Sequence, residues 1–168
     1  MVGMDAAAES LPDAHRAAER PASALEGHLG YWLRLVSNEV SRAFERALQQ
    51  RDISVAEWVA MNQLAAAPGL TPARLAAAMG MTRGAISKVL DKLDSKKLVS
   101  RSISPLDSRV QLLCLTQRAR RALPRLTRIA DENDECFFSA LDSDEKAALR
   151  SLLRKVAGAH RITRIPVG

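Results

Sequence analysis

The run TPARLAAAMGMTRGAISKVLDKLDSKKLVS, Thr71 to Ser100, decides how this chain folds. Thr71 offers a capping hydroxyl and Pro72 a proline at the first helical position, opening a short helix through Met79 that Gly80 closes. Thr82 caps the next helix almost at once. Its apolar positions Ile86, Val89, Leu90 and Leu93 keep the helical period up to Lys97, about 16 residues or roughly 24 Å. Two helices joined by a glycine-containing turn of about three residues make a helix-turn-helix unit.

Working outward, Leu98 to Ile103, the turn-like Ser104 to Ser108 and the β-leaning run Val110 to Thr116 read as a hairpin, or wing. Both faces of the second run are apolar, so it is expected to be largely covered by helices. A long helix follows, with Ala119, Leu123, Leu126 and Ile129 on one side and Pro124 inside it as an expected kink or false start. Ser143 is read as the cap of a last helix whose Leu149, Leu152, Leu153 and Val156 pack inward. Upstream, Leu25, Leu29, Trp32, Leu33, Val36, Val40 and Phe44 form one face of a long amphipathic helix. A second helix carries Val55, Trp58, Val59 and Leu64 and stops at Pro68-Gly69. The expected class is mainly α with a small β wing.

Composition narrows the function. The 168 residues are 47% apolar and 26% charged, which suits one globular domain and excludes wholly disordered or collagen-like chains. No apolar run approaches a membrane span, and Asp5, Glu9, Asp13 and Arg16 interrupt the start where a signal peptide is greasy, so a cytoplasmic protein with no membrane partner is expected. Cys114 and Cys136 lack metal or disulfide spacing, and no metal or cofactor is expected. His15, His28 and His160 are scattered and no glycine-rich phosphate loop occurs, which speaks against an enzyme. The charge is polarised: Arg83 to Arg128 holds 12 basic residues against Asp91, Asp94 and Asp107, while Asp131 to Glu145 holds seven acids and no Lys or Arg. A basic stripe beside an acidic region suits docking on phosphate, or is simply a solvated face.

Several strings resemble the MarR family of winged helix-turn-helix transcriptional regulators. Asp107-Ser108-Arg109 leading into Val110-Gln111-Leu112-Leu113-Cys114-Leu115-Thr116 is similar to that family's wing pattern of Asp-x-Arg and a strand ending Leu-Thr. Leu75-Ala76, Thr82 to Lys88 and Leu93 to Val99 support it, while Ala119 stands where many members have Gly. The resemblance implies a dimer that binds double-stranded DNA. It implies a winged helix-turn-helix DNA-binding lobe at 50–116 and a helical dimerisation region at 24–49 and 117–160. Residues 1–23 are read as a flexible N-terminal arm and 161–168 as a C-terminal tail.

On that basis Thr82, Arg83, Ser87 and Lys88, at the start of the recognition helix, are placed to meet phosphates or base edges. Arg83 either reads a guanine or stays solvated. Arg109 is the candidate for the minor groove, with Asp107 orienting it or a neighbour such as Arg101; the alternative is a surface ion pair. Arg118, Arg121, Arg125 and Arg128 form a stripe that pairs with acids such as Glu132, touches phosphate through Arg118, or binds an anionic ligand between the lobes. By resemblance, a crevice beside the dimerisation helices takes a small aromatic or phenolic effector, with His28, Trp32, Trp58 and Asn62 as candidate lining residues; such residues most often form core. The expected function is a homodimeric repressor of a pseudo-palindromic operator, released by that effector. The alternative is a non-catalytic helical dimer that uses its winged helix to recruit protein and binds DNA weakly without sequence preference.

Overall fold

The computed structural model describes residues 25–105 and 107–163, so the arm at 1–23 and most of the tail at 161–168 lie outside the described residues. The elements run α1 (Leu29–Gln49), α2 (Val55–Ala66), α3 (Pro72–Met79), α4 (Arg83–Ser95), β1 (Val99–Ile103), β2 (Gln111–Leu115), α5 (Gln117–Phe137) and α6 (Ser143–Ala159). They fall into two compact units, one ending at Ser37 and the other starting at Asn38.

Local chemistry sets nearly every helix start. The Oγ1 atoms of Thr71, Thr82 and Thr116 each accept a backbone N–H three residues on, at 3.2 Å, which satisfies a donor the helix itself cannot. Ser54 and Glu57 form a reciprocal capping box on α2, and Asp142 with Glu145 does so on α6. Asp142 therefore caps α6 in place of the expected Ser143, because its carboxylate reaches the N–H groups of both Asp144 and Glu145. Gly80 ends α3 in the left-handed conformation at φ 63°, which costs glycine no Cβ clash. Helix α4 stops short of Lys97: that residue turns left-handed at φ 56°, and the Leu98 N–H closes back on the Leu93 carbonyl at 2.8 Å.

One core fills the second unit. Met61 and Leu64 of α2, Leu75 and Met79 of α3, Ile86, Leu90 and Leu93 of α4, and Leu113 of β2 are all fully buried. The antiparallel hairpin runs in register from Val99 opposite Leu115 to Ile103 opposite Gln111. Leu70 adds a third backbone link, its carbonyl accepting from the Leu113 N–H at 2.8 Å. The hairpin is less covered than its apolar pattern suggests: Leu113 and Leu115 are buried, Leu112 and Cys114 half-buried and Gln111 exposed, so only one face meets the core. Helix α5 continues through Pro124 as one element, which removes the false start. It joins the core through Ala119 and Leu126, and Asn133 donates to the Val40 carbonyl at 3.3 Å.

Helix α6 departs from expectation more sharply. It has no buried residue, and Leu152 and Val156 remain 61% and 54% exposed, because no described element of its own unit covers that stripe. In the first unit, Leu29, Leu33 and Val36 are exposed too.

The packing of α4 sets a stability expectation. Leu90→Ala removes a fully buried side chain and is expected to cost about 2–5 kcal/mol in urea unfolding. Lys88→Ala, on the exposed face, should stay within about 0.5 kcal/mol. Equal effects would mean that α4 is not held by that face.

Candidate nucleic-acid interface

The period of α4 builds the site. With Ile86, Val89, Leu90 and Leu93 turned into the core, Arg83, Ser87 and Lys88 face outward, next to the exposed cap Thr82. The side chains of Arg83, Ser87 and Lys88 have no hydrogen bond or ion pair among the described residues. Arg83 and Ser87 also line an open cleft of about 480 Å³ with Thr71 and Pro72 at the start of α3 and Val110 and Gln111 at the wing. Gly84 has open space around its Cα, so a side chain there meets nothing within the free protein.

At the wing tip, the Asp107 carboxylate accepts the Arg109 backbone N–H at 3.0 Å and its Nε at 3.2 Å. The Arg109 Nη2 reaches the other oxygen at 3.4 Å. The backbone bond first, and the side-chain bond second, hold the Asp107 carboxyl below its ordinary value of 3.8. Arg109 is nonetheless 89% exposed: the acid aims the guanidinium without covering it. Arg101 is placed differently. Its Nε lies 3.2 Å from Asp94 and its Nη2 3.9 Å from Asp91, both on α4, so Arg101 braces the wing against the recognition helix and Asp107 serves Arg109 alone. Sequence reading misses the bracing role of Asp91 and Asp94. Their spacing of three puts them on one face of α4, but the partner comes from a separate element.

The aromatic candidates divide between the units. In the first, His28 is exposed, and the Trp32 Nε1 donates to the Glu26 carbonyl at 2.7 Å with Tyr31 edge-on at 5.3 Å. In the second, Trp58 lies edge-on to Phe44 at 5.0 Å, and the Asn62 Nδ2 donates to the Trp58 carbonyl at 2.8 Å. The Trp58 indole N–H is buried with no acceptor among the described residues.

A short helix, a tight turn, a second helix with an unpaired polar row at its entry end and a hairpin with a cation at its tip define a winged helix-turn-helix DNA-binding lobe. A family profile described as the MarR family matches residues 51–110. The chain is 30% identical over 140 residues to a candidate transcriptional regulatory protein for the hcr operon of Thauera aromatica, covering 83% of this chain and 84% of that one. Among solved structures, a cysteine-to-serine mutant of E. coli MarR complexed with operator DNA superposes with a TM-score of 0.66 at 28% identity, covering 76% of this chain and 92% of that one. The S. aureus MepR–DNA complex superposes at 0.67 with 27% identity, covering 79% and 98%. The chain belongs to the MarR family, and it is a DNA-binding transcriptional regulator, not an enzyme. Among the described residues no helix is long and apolar enough to cross a membrane.

The Asp107 geometry fixes a pH expectation. Its carboxyl sits below the ordinary value, so what it contributes to wing order is fully present above about pH 4 and is lost as pH falls through the lowered value. DNA binding by wild type and by Asp107→Asn should therefore differ by the same factor at about pH 6 and pH 8. A gap that changes between them would exclude this group as the cause.

Proposed function

We propose that the chain acts as a homodimeric repressor that grips a pseudo-palindromic operator with two copies of α4 and two wings. The observation that carries this reading is the unpaired row Arg83, Ser87 and Lys88 on α4, with Arg109 held out at the wing tip. A recognition helix enters the major groove by its N-terminal end, where this row and the Thr82 cap sit. The wing beside it carries Arg109 toward the minor groove, where narrow A·T-rich DNA concentrates negative potential. Arg101, tied to Asp91 and Asp94, keeps these two readers at a fixed spacing. That E. coli MarR and S. aureus MepR have been solved with DNA supports the same use of the lobe here.

The dimer rests on the apolar stripes. Leu152, Leu153 and Val156 of α6, and Leu29, Leu33 and Val36 of α1, offer exposed apolar area that water penalises and a second copy covers. In this reading 24–49 and 117–160 form the dimerisation region, and 50–116 is the DNA-reading lobe. Two-fold symmetry then spaces the recognition helices by one turn of DNA, about 34–36 Å. Such a protein works in the cytoplasm, where its operator is. Release by a small aromatic or phenolic effector draws support from Trp58: its buried indole N–H lacks an acceptor, which a ring hydroxyl supplies, with Asn62 one turn on. His28 and Trp32 are the candidates from the first unit.

The test uses DNA from just upstream of the chain's own gene, titrated against salt and random competitor. Wild type should bind about 10³-fold or more above random DNA and protect a two-fold symmetric footprint. Arg109→Ala should weaken binding and lower the salt slope by about 0.9 for each phosphate no longer neutralised. Leu152→Asp should sediment as a monomer and lose the footprint. Binding no better than to random DNA would instead favour the protein-recruiting dimer.

A further inference from the structure

The stretch 50–116 holds three glycines, and two of them have a reason within the chain. Gly69 and Gly80 take left-handed backbone at φ 81° and 63°, which a side chain resists. Gly84 does not: it lies in the first turn of α4 without a positive φ, and a Cβ built on it meets nothing within 4 Å. Any L-residue fits there in the free protein without strain or clash. Alanine suits the position better, because glycine loses the most conformational freedom on entering a helix. The reason for the missing side chain therefore lies outside the free chain, in the surface that α4 meets when bound.

Position on the helix identifies that surface. Ile86, Val89, Leu90 and Leu93 fix the buried direction of α4. At 3.6 residues per turn, Gly84 lies within about 10° of the side diametrically opposite their mean direction. It is thus the outermost position at the entry end of the helix, on the exposed stripe that continues through Ser87 and Lys88, three and four residues on. Reach varies sharply along this surface. Arg83 and Lys88 carry long side chains, Gly84 has none, and Ser87 has a single hydroxymethyl group. The two small residues make a notch between two long cations.

The Ser87 hydroxyl has no hydrogen bond among the described residues, so it has both a donor and an acceptor to offer. It extends one carbon beyond the backbone, and it touches a base edge only where the helix backbone itself comes close. A side chain at position 84, one turn earlier on the same stripe, holds the backbone away. We propose that Gly84 is a specificity-determining residue: by leaving the crest of α4 bare, it lets the helix seat deep enough in the major groove for the Ser87 hydroxyl to reach a base edge. This role rests on the operator-binding reading of α4 and adds what sets the depth of the helix. Arg83 and Lys88 reach phosphates from a shallower seat too, because their side chains are long and flexible. A bulkier residue at 84 therefore removes selectivity before it removes binding.

Competition binding by the full chain tests it, on DNA from just upstream of the chain's own gene and on random duplex. The variants are Gly84→Ala, Ser87→Ala and the two combined. Gly84→Ala should raise the melting temperature by about 1–3 °C, yet weaken binding to the upstream DNA by about tenfold with affinity for random duplex kept within about threefold. Ser87→Ala should weaken binding to the upstream DNA in the wild-type background. In the Gly84→Ala background it should change binding by less than about twofold, since a helix held back has already lost that contact. Additive losses in the double variant, or equal losses on both duplexes in Gly84→Ala, would overturn the role. A selective wild type with an equally selective Gly84→Ala would overturn the role alone. A wild type with no preference for the upstream DNA would overturn the operator-binding reading and the role together.

Discussion

Burial of one face of α4 is the constraint on which the rest of the structure depends. Ile86, Val89, Leu90 and Leu93 meet α2, α3 and the hairpin inside a single core, and fully burying each large side chain is worth about 1.5–3 kcal/mol. Because the helical period is fixed, that burial leaves no choice about the other face. Arg83, Ser87 and Lys88 point to solvent because their neighbours do not, and their polarity costs the fold nothing there. The outward polar row is thus a by-product of core packing, held by the same contacts that make the lobe stable.

Electrostatics then refine what packing has placed. Pairs such as Arg109 with Asp107 and Arg101 with Asp94 are exposed, and exposed pairs add little stability, about 0–1 kcal/mol. Their value is geometric. Asp107 binds the Arg109 backbone and side chain together, so a long flexible cation leaves the wing in a restricted direction at small cost. Arg101 bridges two elements, so the wing and α4 keep their spacing even though the hairpin has only one covered face.

What is legible in the sequence is local. The caps Thr71, Thr82 and Thr116 act over three residues, and the period of α4 needs only its own side chains, so both can be read without a partner element. The wing pattern from Asp107 to Thr116 carries the family for the same reason. Reading fails where the answer comes from elsewhere in the chain. The continuous apolar run of β2 gives no sign that Leu112 and Cys114 stay half-buried, because that depends on which helices lie over the hairpin. Lys96 and Glu57 are 39 residues apart, and nothing in either local string announces a buried ion pair. The stripe on α6 reads as inward-facing; an amphipathic period shows that a face wants cover and does not say whose.

The buried pair also ties the C-terminal end of α4 to the start of α2. A buried carboxylate is tolerated only when its charge is compensated, and removing one partner of such a pair is far costlier than the pair is stabilising. Glu57 already commits one oxygen to the Ser54 N–H at 2.7 Å, so it depends on Lys96 for the rest. Lys96 in turn ends α4, which makes the compensation of a charge at the root of α2 and the seating of the recognition helix one and the same contact. Whatever alters the charge around Lys96 must therefore either move α4 or leave Glu57 short of a partner. The far end of α4 is therefore seated by the same contact that compensates a buried charge, in a close-packed core that leaves little room for either partner to shift alone.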